Sequence, residues 1–243
     1  MRASVGLWGW GALAAAALAG CGDPAPGVVI GYGTLTEDHV AVRIFGCGPD
    51  ERVTSPLVGT TALTAAQPGV SRRLRADVAR VDFDLAVAPA VTGAGAGAIT
   101  VTASVRVEDN LCGTGCEGAG ARARFAWSAP VTLPPLSQGY AVRVTVHAEH
   151  DSTRGVEQFH GQCAIVTPWR PDIVVEAGDS VRDFDAPAGE ATIRVVCDRL
   201  ENDGFAALSC FGAGRASPPE ALGLESWTSA SVRVRVEVRA RTP

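Results

Sequence analysis

The chain has 243 residues, with 21 basic side chains, all arginine, against 26 acidic ones and a formal net charge of -5. That balance lacks the basic footprint that binding nucleic acid leaves on a protein, so nucleic acid is not expected as a partner. The length suffices for one large or two small domains with buried cores.

At the start, Arg2 precedes an apolar run from Val5 to Ala19, followed by Gly20 and Cys21. This is the layout of a signal peptide. The run is shorter than the roughly 20 residues a helix needs to cross a bilayer. Leu18, Ala19, Gly20 and Cys21 resemble, at all four positions, the lipobox of bacterial lipoproteins. The resemblance implies removal of residues 1–20, diacylation of the Cys21 sulfur with palmitate-like chains, and acylation of the new amino terminus. Several acyl chains make anchoring nearly permanent. An ordinary cleaved signal with Cys21 left as a thiol is the alternative.

Gly22 to Gly27, GDPAPG, is a proline and glycine tether with no apolar pattern. Gly22 differs from the aspartate that typically retains lipoproteins at the inner membrane, so the outer membrane is favoured. The mature chain would be 21–243, with 20 arginines against 26 acids and a net charge of -6.

Beyond the tether, alternation of apolar and polar residues dominates. Ala62 to Ala66 is a candidate short helical turn. Val81, Phe83, Leu85 and Val87, then Ile99, Val101, Ala103, Val105 and Val107, then Val142, Val144 and Val146, then Val232, Val234, Val236 and Val238 predict half-buried strands. Intervening residues such as Thr100, Thr102, Arg106, Arg233 and Arg235 face water. The segment from Gly93 to Ala98, GAGAGA, predicts a flexible loop. No window shows an apolar stripe of helical period, so the expected fold is all-β.

Four short matches recur in order: Asp82 to Asp84 with Asp183 to Asp185, Glu108 to Asn110 with Glu201 to Asp203, CEGAG from Cys116 with CFGAG from Cys210, and AVRVTV from Ala141 with SVRVRV from Ser231. They predict an internal duplication into two tandem Ig-like β-sandwich domains, 28–150 and 151–243. DSTRG, from Asp151 to Gly155, is the expected boundary.

Six cysteines follow Cys21: Cys47, Cys112, Cys116, Cys163, Cys197 and Cys210. In an exported protein an even set predicts three disulfides. With three cysteines on each side of the boundary, parity requires a bridge across it. One set weighed pairs Cys112 with Cys116, Cys197 with Cys210 and Cys47 with Cys163. Another pairs Cys47 with Cys116 and Cys163 with Cys210, leaving Cys112 and Cys197. Sequence alone does not choose among the 15 connectivities.

The densest group of metal-ligating side chains is His147, Glu149, His150, His160 and Cys163, donors that zinc or copper accept. Strand alternation turns His147 and His150 to opposite faces, and the spacing matches no zinc signature, so surface histidines beside a disulfide are expected. The acidic runs Glu108 to Asn110 and Glu201 to Gly204 lack EF-hand spacing. Gly178, Asp179 and Ser180 resemble a hydrolase serine motif over three residues only, and a polar turn is expected there. The arginines of the last strand, like Arg122 and Arg124, alternate as a solvent face does. Trp127, Trp169 and Trp227 are candidates for a sugar platform, although Trp127 shares a face with Phe125 and is expected in a core. The expectation is therefore a non-enzymatic envelope lipoprotein without a cofactor, held on the membrane through Cys21, that binds or braces an envelope partner. Its rivals are a metal- or ligand-binding module on the histidine cluster and an envelope hydrolase.

Overall fold

The structure, a computed structural model, describes residues 27–45, 51–55, 59–76, 79–93, 95–109, 118–152, 155–157, 161–202 and 226–241. The amino-terminal segment with Cys21, and Cys47, Cys112, Cys116, His160 and Cys210, lie outside the described residues. Strands run in the order β1 Val29–Ile30, β2 Thr34–Phe45, β3 Glu51–Ser55, β4 Gly59–Ala62, β5 Gly69–Ala76, β6 Ala79–Gly93, β7 Ala96–Asp109 and β8 Gly118–Leu133. They continue as β9 Tyr140–Ser152, β10 Gly155–Glu157, β11 Gln162–Thr167, β12 Arg170–Val174, β13 Gly178–Ala186, β14 Gly189–Asn202 and β15 Ser226–Ala240. No helix among the described residues is long and apolar enough to cross a membrane.

All strand pairs are antiparallel and fall into two sheets. The first has the order β12-β11-β14-β8-β2-β3, with β1 on β8 and β4 on β2. The second has the order β10-β9-β15-β7-β6-β5, with β13 also on β9. Their inner faces share one apolar cluster, to which Phe83 of β6 and Phe125 of β8 contribute rings 5.5 Å apart across the sheets. The valine alternation builds it. Val234 stands opposite both Val101 of β7 and Val146 of β9, and Val236 opposite Ile99 and Val144. All are buried. Because the side-chain period of a strand is 2, the same register turns Thr100, Thr102, Arg233 and Arg235 outward.

Trp127 is fully buried, and its indole Nε1–H donates to the Tyr32 carbonyl at 2.9 Å. Tyr140, at the start of β9, donates its hydroxyl to the Pro134 carbonyl at 2.8 Å. A bulge between Cys197 and Leu200 keeps both residues in the core although they are three apart, and sets Glu201 opposite Arg122.

The expected boundary at Asp151 to Gly155 falls at a hairpin, with Ser152 ending β9 opposite Gly155 opening β10. Strands from both sides of it are interleaved. β14 lies between β11 and β8, and β15 lies between β7 and β9. The matched segments also differ in setting. From Asp82 to Asp84 the chain turns to β7 in the same sheet, whereas from Asp183 to Asp185 it passes to β14 in the other. Two local expectations are corrected. In the stretch expected to be a flexible loop, Gly93 ends β6 opposite Ala96 of β7, with Gly95 at φ 68°, and Thr64 to Gln67 is a hydrogen-bonded turn without helix.

Candidate functional site

One group of charged side chains gathers on the outer face of the second sheet, where β15, β9 and β13 lie side by side. Register sets the pairs. His147 stands opposite Asp179 and Arg143 opposite Asp183, because two residues four apart on β9 meet two residues four apart on the antiparallel β13. Arg143 Nε and Nη2 donate to the two carboxylate oxygens of Asp183 at 2.8 and 3.0 Å. That hydrogen bond holds the Asp183 carboxyl below its usual range. Arg241 pairs with Asp185, and Arg235 Nη2 donates to Glu237 at 2.8 Å. Together Arg143, Asp183, Phe184, Glu237, Arg239 and Arg241 line a cleft of about 480 Å³.

His147 is clamped between two carboxylates. Its Nδ1 lies 2.7 Å from Asp179 Oδ1 and its Nε2 lies 3.2 Å from Glu149 Oε2. Both ring nitrogens can donate only in the imidazolium form. Hydrogen bonding to Asp179, then to Glu149, accordingly raises the imidazole pKa above its ordinary value. The Ser231 hydroxyl donates to Glu149 Oε1 at 3.3 Å. It reaches a carboxylate rather than the imidazole, so no serine–imidazole contact forms in this group. Ser180 follows Asp179 on β13 and so points to the opposite face. Gly178, Asp179 and Ser180 open a strand where a turn was expected.

Of the described members of the histidine cluster, His147 and Glu149 meet, while His150 and Cys163 lie apart from them. His150 turns inward, is buried, and its Nε2 lies 2.8 Å from Thr228 Oγ1. Cys163 lies in the other sheet, bonded to Cys197 with an S–S distance of 2.07 Å. Among the described residues no group of three His, Cys, Asp or Glu side chains is placed to hold a metal ion. Cys163 and Cys197 pair because the β11–β14 register sets them directly opposite each other. Neither connectivity weighed from sequence contains this bridge, since both assigned partners by the repeat and not by the register.

The first residue of each acidic run is engaged by arginine. Glu108 meets Arg106 at 3.1 Å and also pairs with Arg80, while buried Glu201 accepts from Arg122 Nη2 at 2.8 Å and pairs with Arg199. The tryptophans are dispersed. Trp127 is in the core, Trp169 packs on Phe184 with rings 6.3 Å apart, and Trp227 lies under the Arg106 guanidinium at 4.5 Å. The Asp179 partnership of His147 was not anticipated from sequence, although the equal four-residue spacing of His147 with Arg143 and of Asp179 with Asp183 was available as a signal. No protein-family model matches the chain, and no curated protein matches it.

Proposed function

We propose that the protein is a cell-envelope lipoprotein, anchored by acyl chains on Cys21, whose β-sandwich presents loops to an envelope partner without catalysing a reaction. The observation that carries the proposal is the run Leu18, Ala19, Gly20 and Cys21 behind an apolar segment, followed by a short tether into β1. The Cys163–Cys197 bridge supports export, because disulfides persist in oxidising compartments. The placement of the strand ends supports display. β1 pairs near the end of β8, Val29 opposite Thr132, so the tether joins there. At the start of β8, Gly118 stands opposite Phe45 and Ala121 opposite Asn202, and in the other sheet Asp109 stands opposite Ser226. The described strands β2, β7 and β14 therefore end away from the place where β1 begins. At about 3.3 Å per residue, β8 separates the two ends by roughly 45 Å. A finer fold reading, an Ig-like sandwich, draws support from the Tyr140–Pro134 hydrogen bond, which resembles the tyrosine corner of such domains.

Cys21→Ser tests the anchor. Fractionation should move the variant out of the membrane pellet, and intact mass should show it uncut or cut as an ordinary secreted protein. Wild-type mature protein without lipid mass on Cys21 would overturn the reading.

A further inference from the structure

β13, Gly178–Ala186, is the longest of the described strands that pair on one side only. It contains no proline, whereas the edge strand β12 contains Pro171, which lacks the N–H that a ladder needs. An edge of this kind turns the N–H and C=O of every second residue away from its neighbour and can accept a further strand.

The outer face of β13 presents Asp179, Val181, Asp183 and Asp185 in a row. The three acidic side chains are 80, 59 and 67% exposed and Val181 is 48% exposed, so the row is open to a neighbour. Each acid has a cation behind it, His147 for Asp179, Arg143 for Asp183 and Arg241 for Asp185. Glu237 of β15 stands beyond Arg143, so charge alternates in sign across β15, β9 and β13 and ends on acid at the edge. A carboxylate has about four lone-pair sites, and each of these can take a second donor on its open side. The next strand in the series would therefore be basic.

Charge on an edge strand acts against indiscriminate pairing. Here it also selects. Two copies of β13 laid antiparallel about Val181 would oppose Asp179 to Asp183, about Arg182 they would oppose Asp179 to Asp185, and about Asp183 they would set that acid against itself. Like charges directly opposite each other destabilise a strand pair, which disfavours a second copy. We propose that the β13 edge binds an extended basic segment of a partner protein by strand addition, with Lys or Arg opposite Asp183 and Asp185. Main-chain hydrogen bonds supply affinity in this mode and alternate side chains supply specificity. An apolar residue suits the positions opposite Val181 and Phe184, and an acid suits the position opposite Arg182, which lies exposed on the other face of β13. This surface is separate from the strand ends on which the display reading rests, and the proposal holds whether or not Cys21 carries lipid.

The test uses the full mature protein in detergent and the capped synthetic peptide Lys-Val-Lys-Glu-Val-Thr-Lys. Laid antiparallel on β13, the peptide sets its lysines opposite Asp185, Asp183 and Asp179. Saturable binding is expected, with hydrogen exchange slowed at every second amide of β13. Asp183→Asn combined with Asp185→Asn should weaken binding by about 2- to 30-fold. Methylating the peptide nitrogens at alternate residues should abolish binding for one set and spare it for the other, because successive N–H groups of a strand point to opposite sides. If the double variant does not fold, the methylated peptides on the wild-type protein decide. Equal binding of a peptide with Lys and Glu exchanged, indifference to which nitrogens are methylated, or slowed exchange only away from β13 would overturn the proposal. So would amides of β13 already protected on both sides before peptide is added, whether by another part of the chain or by a second copy. Binding by a protein without lipid mass on Cys21 would support the edge site while removing the anchor.

Discussion

Trp127 fills the core while satisfying a backbone carbonyl, and the two roles can be separated by substitution. Trp127→Phe keeps an aromatic ring but leaves the Tyr32 carbonyl without its indole donor. We expect a loss of about 1 to 3 kcal/mol, read as a lower urea midpoint at unchanged m value. His147 carries a pH dependence whose sign is fixed by its raised pKa. The stabilisation is present below the unfolded-state value of about 6.5, provided Asp179 is ionised, and is lost as pH rises through the folded-state value. Asp179→Asn should lower the His147 midpoint in an NMR titration, and its stability deficit should be greatest near about pH 5 to 6 and vanish in alkali. An unchanged midpoint would refute the pairing. The burial of Trp127 and the opposite facing of His147 and His150 were legible in the sequence, because both follow from local alternation. The partners Tyr32 and Asp179 were not, because each contact depends on the placement of a separate segment.

At the scale of elements, legibility followed position in the sheet. β6, β7, β9 and β15 announce themselves because each lies between neighbours with one face on the core, which demands an apolar residue at every second place. Among the described strands, β13 pairs only with β9. Its residues Val181, Asp183 and Asp185 are exposed and its apolar signal is reduced to Phe184 and Ala186, so a segment rich in acids resembled a turn. Edge strands are commonly charged, which discourages pairing with other chains. Two glycines at strand junctions give a paired test. Gly178, at φ 84°, has open space where a Cβ would stand, so Gly178→Ala should cost only the left-handed backbone, about 1 to 2 kcal/mol. Gly33, at φ 78°, would press a Cβ into the Ser128 carbonyl oxygen and to 2.8 Å from the Ala129 Cβ. Thermal melts should therefore rank Gly33→Ala below Gly178→Ala, and equal melting temperatures would contradict the packing at β8.

At the scale of the molecule, the order of strands in the sheets matters more than the weak repeat. A polypeptide that folds as beads on a string keeps its sheets within each bead, and its parts can melt separately. Here β9 is bonded to β15 along thirteen paired positions, from Tyr140 with Ala240 to Ser152 with Thr228, and β8 is bonded to β14 from Leu133 with Gly189 to Ala121 with Asn202. Removing everything after residue 150 would strip a neighbour from β7, β8 and β9 together and expose the apolar faces of Val101, Val105, Phe125 and Val144. The repeat matches could not reveal this, since similarity between two segments does not say which neighbours each acquires. Calorimetry of the oxidised mature chain should accordingly show one transition, with the calorimetric and van't Hoff enthalpies in agreement. Residues 28–150 and 151–243, produced separately under oxidising conditions, should each lack cooperative unfolding. Two resolved transitions in the whole chain, or a half that melts cooperatively alone, would mean that the interleaved sheets are not the unit that folds.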